Sequence, residues 1–382
     1  MDALGGGADA LARPGKQPSR GLRSSSTSSY SEARQRLPEA RVKEVFECSA
    51  QAIQRSSEAG PGPQIQLMDG TLLAMLTNPE LSQDYPPARN QLGPSAWGQM
   101  RCVAAFDATT AGVRAAAQGP TTTSEQTLAW DIFAQSAAGT LSIGDRNFGV
   151  FSVVQAAAHH RQDLLVRLTA KRARKQGGSP RWHSGQEQNV CWAPSRHDQL
   201  HPGAADTPVS GRLIFVRLER PGYRGIELWL FTTLKDATVE QLVQWYGLRW
   251  RAEPNFRSLK CQLQLREFTA RSAPMVRKEF YAALIAYNLV RDAMQHCALA
   301  LGVPLGRISF QAVRRALHQG FLELSAPAGG APPPLQGLLL PNRPRPRPNE
   351  PRLLRHRPRI YPPLHGSRAA ARLSHLAHSS KS

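Results

Sequence analysis

Apolar positions along this chain follow two rhythms, and the change between them divides it. In residues 31–54, Leu37, Val42, Val45, Phe46, Ala50 and Ile53 recur at helical spacing, interrupted by Pro38. Gly60-Pro-Gly-Pro63 marks a turn or linker. Beyond it, short apolar runs alternate with polar turns. Residues 65–69 read as a strand ending in Asp69; 100–107 and 112–117 read as two more, joined by Ala108-Thr-Thr-Ala111. A helix over 124–138 follows, then a short strand over 140–144 running into Asp145, a helix over 148–159 and a strand over 163–169. Residues 170–205 are polar, basic and turn-rich, and 212–219 with 225–232 form a hairpin. Thr238 caps the next helix with Gln241 as capping-box partner, and a further helix spans 274–301.

Strand, strand, strand, helix, strand, helix, strand, insertion, helix is the order of a ribonuclease-H-like α/β domain. Such a domain is a mixed five-stranded sheet flanked by helices, here with a β-rich insertion before the last helix of interest. The first two strands would neighbour the fourth, so that Asp69 and Asp145, 145 − 69 = 76 positions apart, converge at the carboxyl ends of strands. The chain divides into a disordered start (1–30), a small helical unit (31–60), a first part of the core (61–170), the insertion (171–236), a second part (237–325) and a Pro/Arg-rich tail (326–382).

Charge changes the picture. The 382 residues hold 48 Lys+Arg against 28 Asp+Glu, a net charge of +20, which points to a polyanionic partner, nucleic acid first. From Pro341 onward ten basic residues accompany one acid, Glu350. The five cysteines are scattered without a CxxC, which argues for a reducing compartment. Cys191, His197 and His201, with His183 nearby, raise a zinc site, but their spacing matches no zinc module. No secretory h-region is visible, and the apolar stretch 281–301 contains Arg291 and Asp292, so it reads as a core helix rather than a membrane span. A soluble intracellular protein is expected.

The densest chemistry lies in Tyr246-Gly-Leu-Arg249-Trp250-Arg-Ala-Glu253-Pro254-Asn-Phe-Arg-Ser-Leu-Lys260. At about 100° per residue, Tyr246, Arg249, Glu253 and Lys260 fall at roughly 0°, −60°, −20° and −40° on a helix wheel. A carboxylate flanked by phosphate-gripping cations on one face suits phosphodiester chemistry; a solvated face with an Arg249–Glu253 pair is the plain alternative. Asp69, Asp145 and Glu253 around one point could hold two Mg²⁺ ions. Without metal they would repel and raise one another's pKa. Each has a plain alternative: Asp69-Gly70-Thr71 as a turn, Asp145 as a helix N-cap, Glu253 as the partner of Arg249. Pro254 either kinks the helix or starts a new one in its first turn, and the second case weakens the wheel argument for Lys260.

These residues resemble a DDE transposase of the bacterial insertion-sequence family four, whose signature is Tyr, two residues, Arg, three residues, Glu, six residues, Lys. The resemblance extends to Arg-Leu-Pro near Arg36, Met68-Asp-Gly-Thr71, Gly-Asp145-Arg146-Asn-Phe148 and the stretch 342–362, covering roughly residues 30–365. It implies Asp69, Asp145 and Glu253 as catalytic metal ligands for Mg²⁺ or Mn²⁺, with two ions bound. It implies DNA contacts by Tyr246, Arg249, Trp250, Lys260 and Arg146. Trp250 would stack on an unstacked terminal base or pack in the core; Trp182, Trp192 and Trp229 are other candidates for stacking. Double-stranded DNA (terminal inverted repeats and target), a homodimer on DNA, and a nucleoid-associated bacterial cytoplasmic location follow from the same resemblance. The rival readings are a decayed, inactive copy that only binds DNA and a plain nuclease of the same fold.

Overall fold

The alternation in the first apolar run builds the central strand. β1 (Ile65–Met75) sends Leu67, Leu73 and Met75 into one apolar layer and Met68 into the other, the period of two of a pleated strand. The computed structural model describes residues 28–56, 63–76, 78–90, 93–95, 97–177, 182–196, 198, 207–219, 225–262, 267–324 and 335–340. Nearly all belong to one compact unit, residues 1–218 and 227–342; of the other, residues 219–226 and 343–382, only 219, 225 and 226 are described. The basic tail beyond residue 340 and the first 27 residues, both singled out by composition, lie outside the described residues.

The short helix α3 (Pro79–Asp84) and the paired two-residue strands β2 (Arg89–Asn90) and β3 (Gly93–Pro94) follow β1. β4 (Gly98–Asp107) pairs antiparallel with β1 along its length, from Gln66↔Asp107 to Met75↔Gly98, and β5 (Val113–Pro120) pairs antiparallel with β4. On the other edge of β1, β6 (Leu141–Gly144) runs parallel, followed by the parallel β7 (Asp163–Leu168). The order β5-β4-β1-β6-β7 is the ribonuclease-H-like order. Of the first two strands of the predicted order, only β1 borders β6. A strand has two edges, and β4 occupies the far one, so the expectation that the second strand also borders the fourth is corrected.

The sheet does not stop at five strands. β10 (Ile226–Thr232) pairs antiparallel with β7, and β9 (Val209–Leu218) and β8 (Glu187–Trp192) follow outward, while β11 (Glu267–Phe268) pairs parallel with the end of β1. The insertion therefore adds three strands to the main sheet, which with β11 has nine among the described residues. Its apolar residues alternate into the same two layers: Leu228 and Leu230 to one side, Trp229 and Phe231 to the other.

One layer holds α4 (Glu125–Gln135) and α5 (Phe151–His159), which bury Leu128, Ile132, Phe133, Phe151 and Val154. The other holds α2 (Glu39–Ser56), α7 (Val239–Leu248), α8 (Ala252–Arg257), α9 (Ala273–Leu301) and α10 (Phe310–Leu324). Helix α9 buries Val276, Phe280, Leu284, Tyr287, Arg291, Met294 and Ala298 at steps of three and four, a stripe that is apolar apart from Arg291. Gly302 ends it in the left-handed conformation at φ 61°. The shorter α1 (Ser28–Arg36) is tied to α9 by Lys278, whose Nζ donates to the carbonyls of Arg34 and Gln35 at 3.0 and 2.9 Å. Among the described residues no helix is long and apolar enough to cross a membrane.

Gly149, in the turn between β6 and α5, is a close backbone approach. A Cβ there would overlap the Arg167 carbonyl oxygen and lie 2.9 Å from Leu168 Cδ2. That oxygen belongs to a central strand and cannot shift alone. Gly149→Ala is expected to cost about 3 kcal/mol and lower the melting temperature by roughly 5–10 °C. Calorimetry showing a drop under about 2 °C would mean that the turn gives way instead.

Candidate active site

β1 runs past a gap in strand pairing. β6 covers its edge over Ile65–Leu67 and β11 over Ala74–Met75; between them no described strand pairs with that edge at Asp69, Gly70 and Thr71. Asp69 thus sits in mid-strand, not at a strand end or in a turn, because the β4 ladder carries β1 through the Asp-Gly dipeptide. The β1–β6 register pairs Ile65 with Leu141 and Leu67 with Ile143, an offset of 76. The same offset leads from Asp69 to Asp145, just beyond the end of β6. The two carboxylates are within electrostatic reach: Asp145 and Glu125 both push the Asp69 pKa upward.

Burial is the first cause of that shift. The Asp69 pKa rises from 3.8 to about 6, with the Gly70 N–H and the Arg249 guanidinium pulling the other way. Asp145 is not the N-cap of α5, a position held by Val150. Its Oδ1 instead accepts from the Asn147 N–H at 2.8 Å, an Asx turn that fixes the carboxylate.

Over this pair lies the charged helical segment. Thr238 and Gln241 form the expected capping box at the start of α7. A 3₁₀ turn (Arg249–Arg251) then leads into α8, and a π turn (Ser258–Gln262) follows. The backbone stays right-handed throughout: the torsions at Leu248, Arg249, Arg251, Ala252 and Ser258 are all helical. Pro254 stands in the first turn of α8, where its missing N–H costs least, and the 3₁₀ turn absorbs the change of register through the Ala252 N–H donating to the Arg249 carbonyl.

Arg249 is the hub of the site. Its side chain is only 9% exposed, 3.5 Å from Glu253 Oε1, and its guanidinium lies 4.2 Å from the Trp250 ring centroid. It also bonds Tyr246, whose buried phenol has its pKa raised by burial first, with Asp145 and Arg167 within electrostatic reach. Glu253 itself points outward, its side chain 57% exposed. Behind it, buried Asn255 accepts from buried Arg291 at 2.9 Å, which anchors the inner side of α8.

The structure thus brings Asp69, Asp145, Tyr246 and Arg249 together and leaves Glu253 on Arg249. Among the described residues no three acids, histidines or cysteines are placed to hold a metal ion. The Asp69–Asp145 pair suits a cation all the same: two carboxylates lie within electrostatic reach of each other, and burial has taken from Asp69 much of the water that would stabilise its charge. The wheel argument fails for Lys260, because 3₁₀ and π windings precede it. Its charge is felt by buried Cys102, which pairs with Thr71 on β1. Arg146 is exposed beside Asp145.

Several expectations change. Trp192 and Trp229 are core residues at 4% and 6% exposure, and Trp182 stacks edge-on against Trp229 at 5.3 Å. Trp250, by contrast, is 58% exposed. Cys191 lies exposed on β8; His197 and His201 are outside the described residues. The stretch 170–205 contains a helix, α6 (Ala170–Gly177), besides β8. Helix α6 exposes Lys171, Arg174 and Lys175, while Arg172 donates to the Gly149 carbonyl at 2.5 Å. Sequence reading missed Arg167 and Glu125 at the site, since each arrives from another element with no local motif. The run AKRARK did signal the cations of α6.

The family model described as Transposase DDE domain matches residues 60–289, which include Asp69, Asp145 and Glu253. The transposase InsG for insertion sequence element IS4 of Escherichia coli (strain K12) is 27% identical over 277 residues, 69% of this chain. The chain spans 60% of that relative's length. The cryo-EM structure of the piggyBac transposase synaptic complex with hairpin DNA aligns at a TM-score of 0.41 and 12% identity, over 72% of this chain and 55% of that one. On the match that covers most of its length, this chain belongs to the transposase DDE domain family.

Proposed function

We propose that this protein is a transposase that cuts DNA at the ends of an insertion sequence and joins the freed 3′-hydroxyl to target DNA. The observation that carries the reading is Asp145, just past β6, falling at the β1–β6 offset from Asp69 and within its electrostatic reach, with Arg249 and Tyr246 beside the pair and Glu253 held on Arg249. The E. coli relative is the transposase of an insertion sequence element, and that activity is carried to this chain as part of the proposal.

Members of this family generally use divalent metal ions. Asp69 and Asp145 would hold one, with Glu253 joining them by leaving Arg249; Mg²⁺ suits an all-oxygen donor set, Mn²⁺ is the alternative, and two ions is the number proposed. Bound there, the metal supplies Lewis-acid polarisation of phosphoryl oxygens. The protein's own side chains do the rest. Arg249 grips a phosphate with its planar fork, Tyr246 orients it through its hydroxyl, and Lys260 and Arg146 add charge. The exposed cations of α6 continue the track for the DNA backbone. A homodimer holding two element ends, associated with the nucleoid, is the assembly proposed. Pro254 lends no support to an inactive copy, because the helical backbone runs through it.

The test is joining of a labelled element-end duplex to plasmid DNA with Mg²⁺. Joined product is expected. Cleavage without joining would leave a plain nuclease, and DNA binding without cleavage would overturn the proposal. Trp250→Ala is expected to weaken binding to an end with an unpaired terminal base about tenfold, in line with a stacking loss of about 1–3 kcal/mol, and to spare a fully paired duplex. Equal loss on both duplexes by fluorescence anisotropy would remove the stacking role.

A further inference from the structure

Gly70 follows Asp69 on β1 and faces the other layer, where a carboxyl group takes the place of a side chain. A Cβ on Gly70 would overlap the carboxylate of Glu125. Glu125 opens α4 behind Ser124, the N-cap that accepts from the Thr127 N–H. Its side chain is 18% exposed, with Oε1 3.6 Å from Arg101 Nη1 on β4. Its Oε2 accepts from Asn147 Nδ2 at 2.6 Å. The neighbouring Gln126 donates from Nε2 to the Asn147 carbonyl at 2.9 Å and to Asn147 Oδ1 at 2.7 Å. Asn147 in turn donates its N–H to Asp145 Oδ1.

Read as one object, this is a clamp on the back of the sheet. It touches β1 one residue from Asp69, β4 through Arg101, and the turn that presents Asp145. Asp69 belongs to the face of α7 and α8, the face of Leu67 and Leu73, whereas α4 belongs to the opposite layer with Met68. Glu125 is therefore placed to set the spacing of the two carboxylates from behind, not to join them. A glycine at position 70 leaves it room to do so.

We infer that Glu125 is a positioning residue, which fixes Asp69 and Asp145 at the separation a divalent ion requires by clamping Asn147 and seating on Gly70. The inference rests on the reading of Asp69 and Asp145 as metal ligands. Supports of this kind typically cost 10- to 100-fold in metal affinity when removed.

The test is Mn²⁺ binding to the full-length, DNA-free protein by titration calorimetry, with melting temperatures alongside. Glu125→Ala is expected to weaken Mn²⁺ about tenfold while melting within about 2 °C of the parent. Glu125→Gln keeps an acceptor for Asn147 and is expected to stay within about twofold. Gly70→Ala evicts the carboxylate and should match Glu125→Ala, and the double variant should be no worse than either, as for residues acting through one contact. Parent-like Mn²⁺ affinity in Glu125→Ala or Gly70→Ala, or a Gln variant as weak as the Ala one, would overturn the clamp. Should Glu125→Ala fail to fold, the Gln and Gly70 variants still decide. Asp69→Ala separates the two levels: if it too binds Mn²⁺ normally, the metal-site reading falls along with the clamp. If it alone loses Mn²⁺, only the clamp falls.

Discussion

Replacing Glu253 by glutamine is expected to slow DNA cleavage and joining by about 10³-fold, a loss of about 4 kcal/mol of transition-state stabilisation, and to leave the fold untouched. The side chain is 57% exposed and its described partner is Arg249 at 3.5 Å. A pair with one such exposed member contributes little to stability, so the melting temperature should stay within about 1 °C. DNA affinity should hold or tighten slightly, because the change removes a negative charge beside Arg249 and releases the guanidinium. Single-turnover kinetics at saturating DNA and Mg²⁺ make the measurement. A rate within tenfold of the parent would take Glu253 out of the chemistry and leave it as the counter-ion of Arg249.

Asp69→Asn should separate stability from activity in opposite directions. Burial first, then Asp145 and Glu125, raise the Asp69 pKa from 3.8 to about 6 in the metal-free fold. Between those values the folded chain binds more protons than the unfolded one. Stability therefore falls as pH rises from about 4 to 6, and the penalty is complete above 6. Two pKa units correspond to about 3 kcal/mol, and solvent around a group that is not fully buried reduces this to about 1–2 kcal/mol. Asparagine keeps an acceptor for the Gly70 N–H and carries no charge. With chelator present, the variant should melt about 2–5 °C above the parent at pH 8 and equal it at pH 4, while cleavage falls by about 10³-fold. Added Mn²⁺ should raise the parent's melting temperature and not the variant's. A variant that melts below the parent at pH 8 would show that the carboxylate is under no strain there.

How much of this was legible beforehand depends on how local each signal is. Short apolar runs with alternation marked β1, β4, β5, β6 and β7, and Thr238 with Gln241 marked the start of α7 within one turn. Asp69 and Asp145 were readable because the strand order itself brings them together. The Asp69-Gly70 dipeptide misled as to where β1 ends: ten paired residues of β4 outweigh a local turn preference. β8 looked like loop because its residues are mostly exposed at the edge of the sheet. That β8, β9 and β10 extend the main sheet is written in no local pattern, and neither are the approaches of Glu125 and Arg167 to the site. The insertion tryptophans were equally opaque, since an aromatic ring reads alike in a core and on a surface; only packing against Phe215 and Phe231 separates Trp229 and Trp192 from exposed Trp250.

The β7–β10 ladder has a practical consequence for anyone rebuilding this protein. Leu168 and Trp229 are direct partners in it, so the chain leaves β7 and comes back beside it at facing positions. Whatever lies between is a closed excursion whose two ends are already pinned together. Lengthening such an excursion costs only about 0.6 kcal/mol per doubling, and the pinned ends limit what chain added beyond α6 passes on to Asp145 upstream or Glu253 downstream. The connection between β8 and β9 is accordingly the place to splice in a reporter or a targeting domain while keeping the distance between the two carboxylates unchanged.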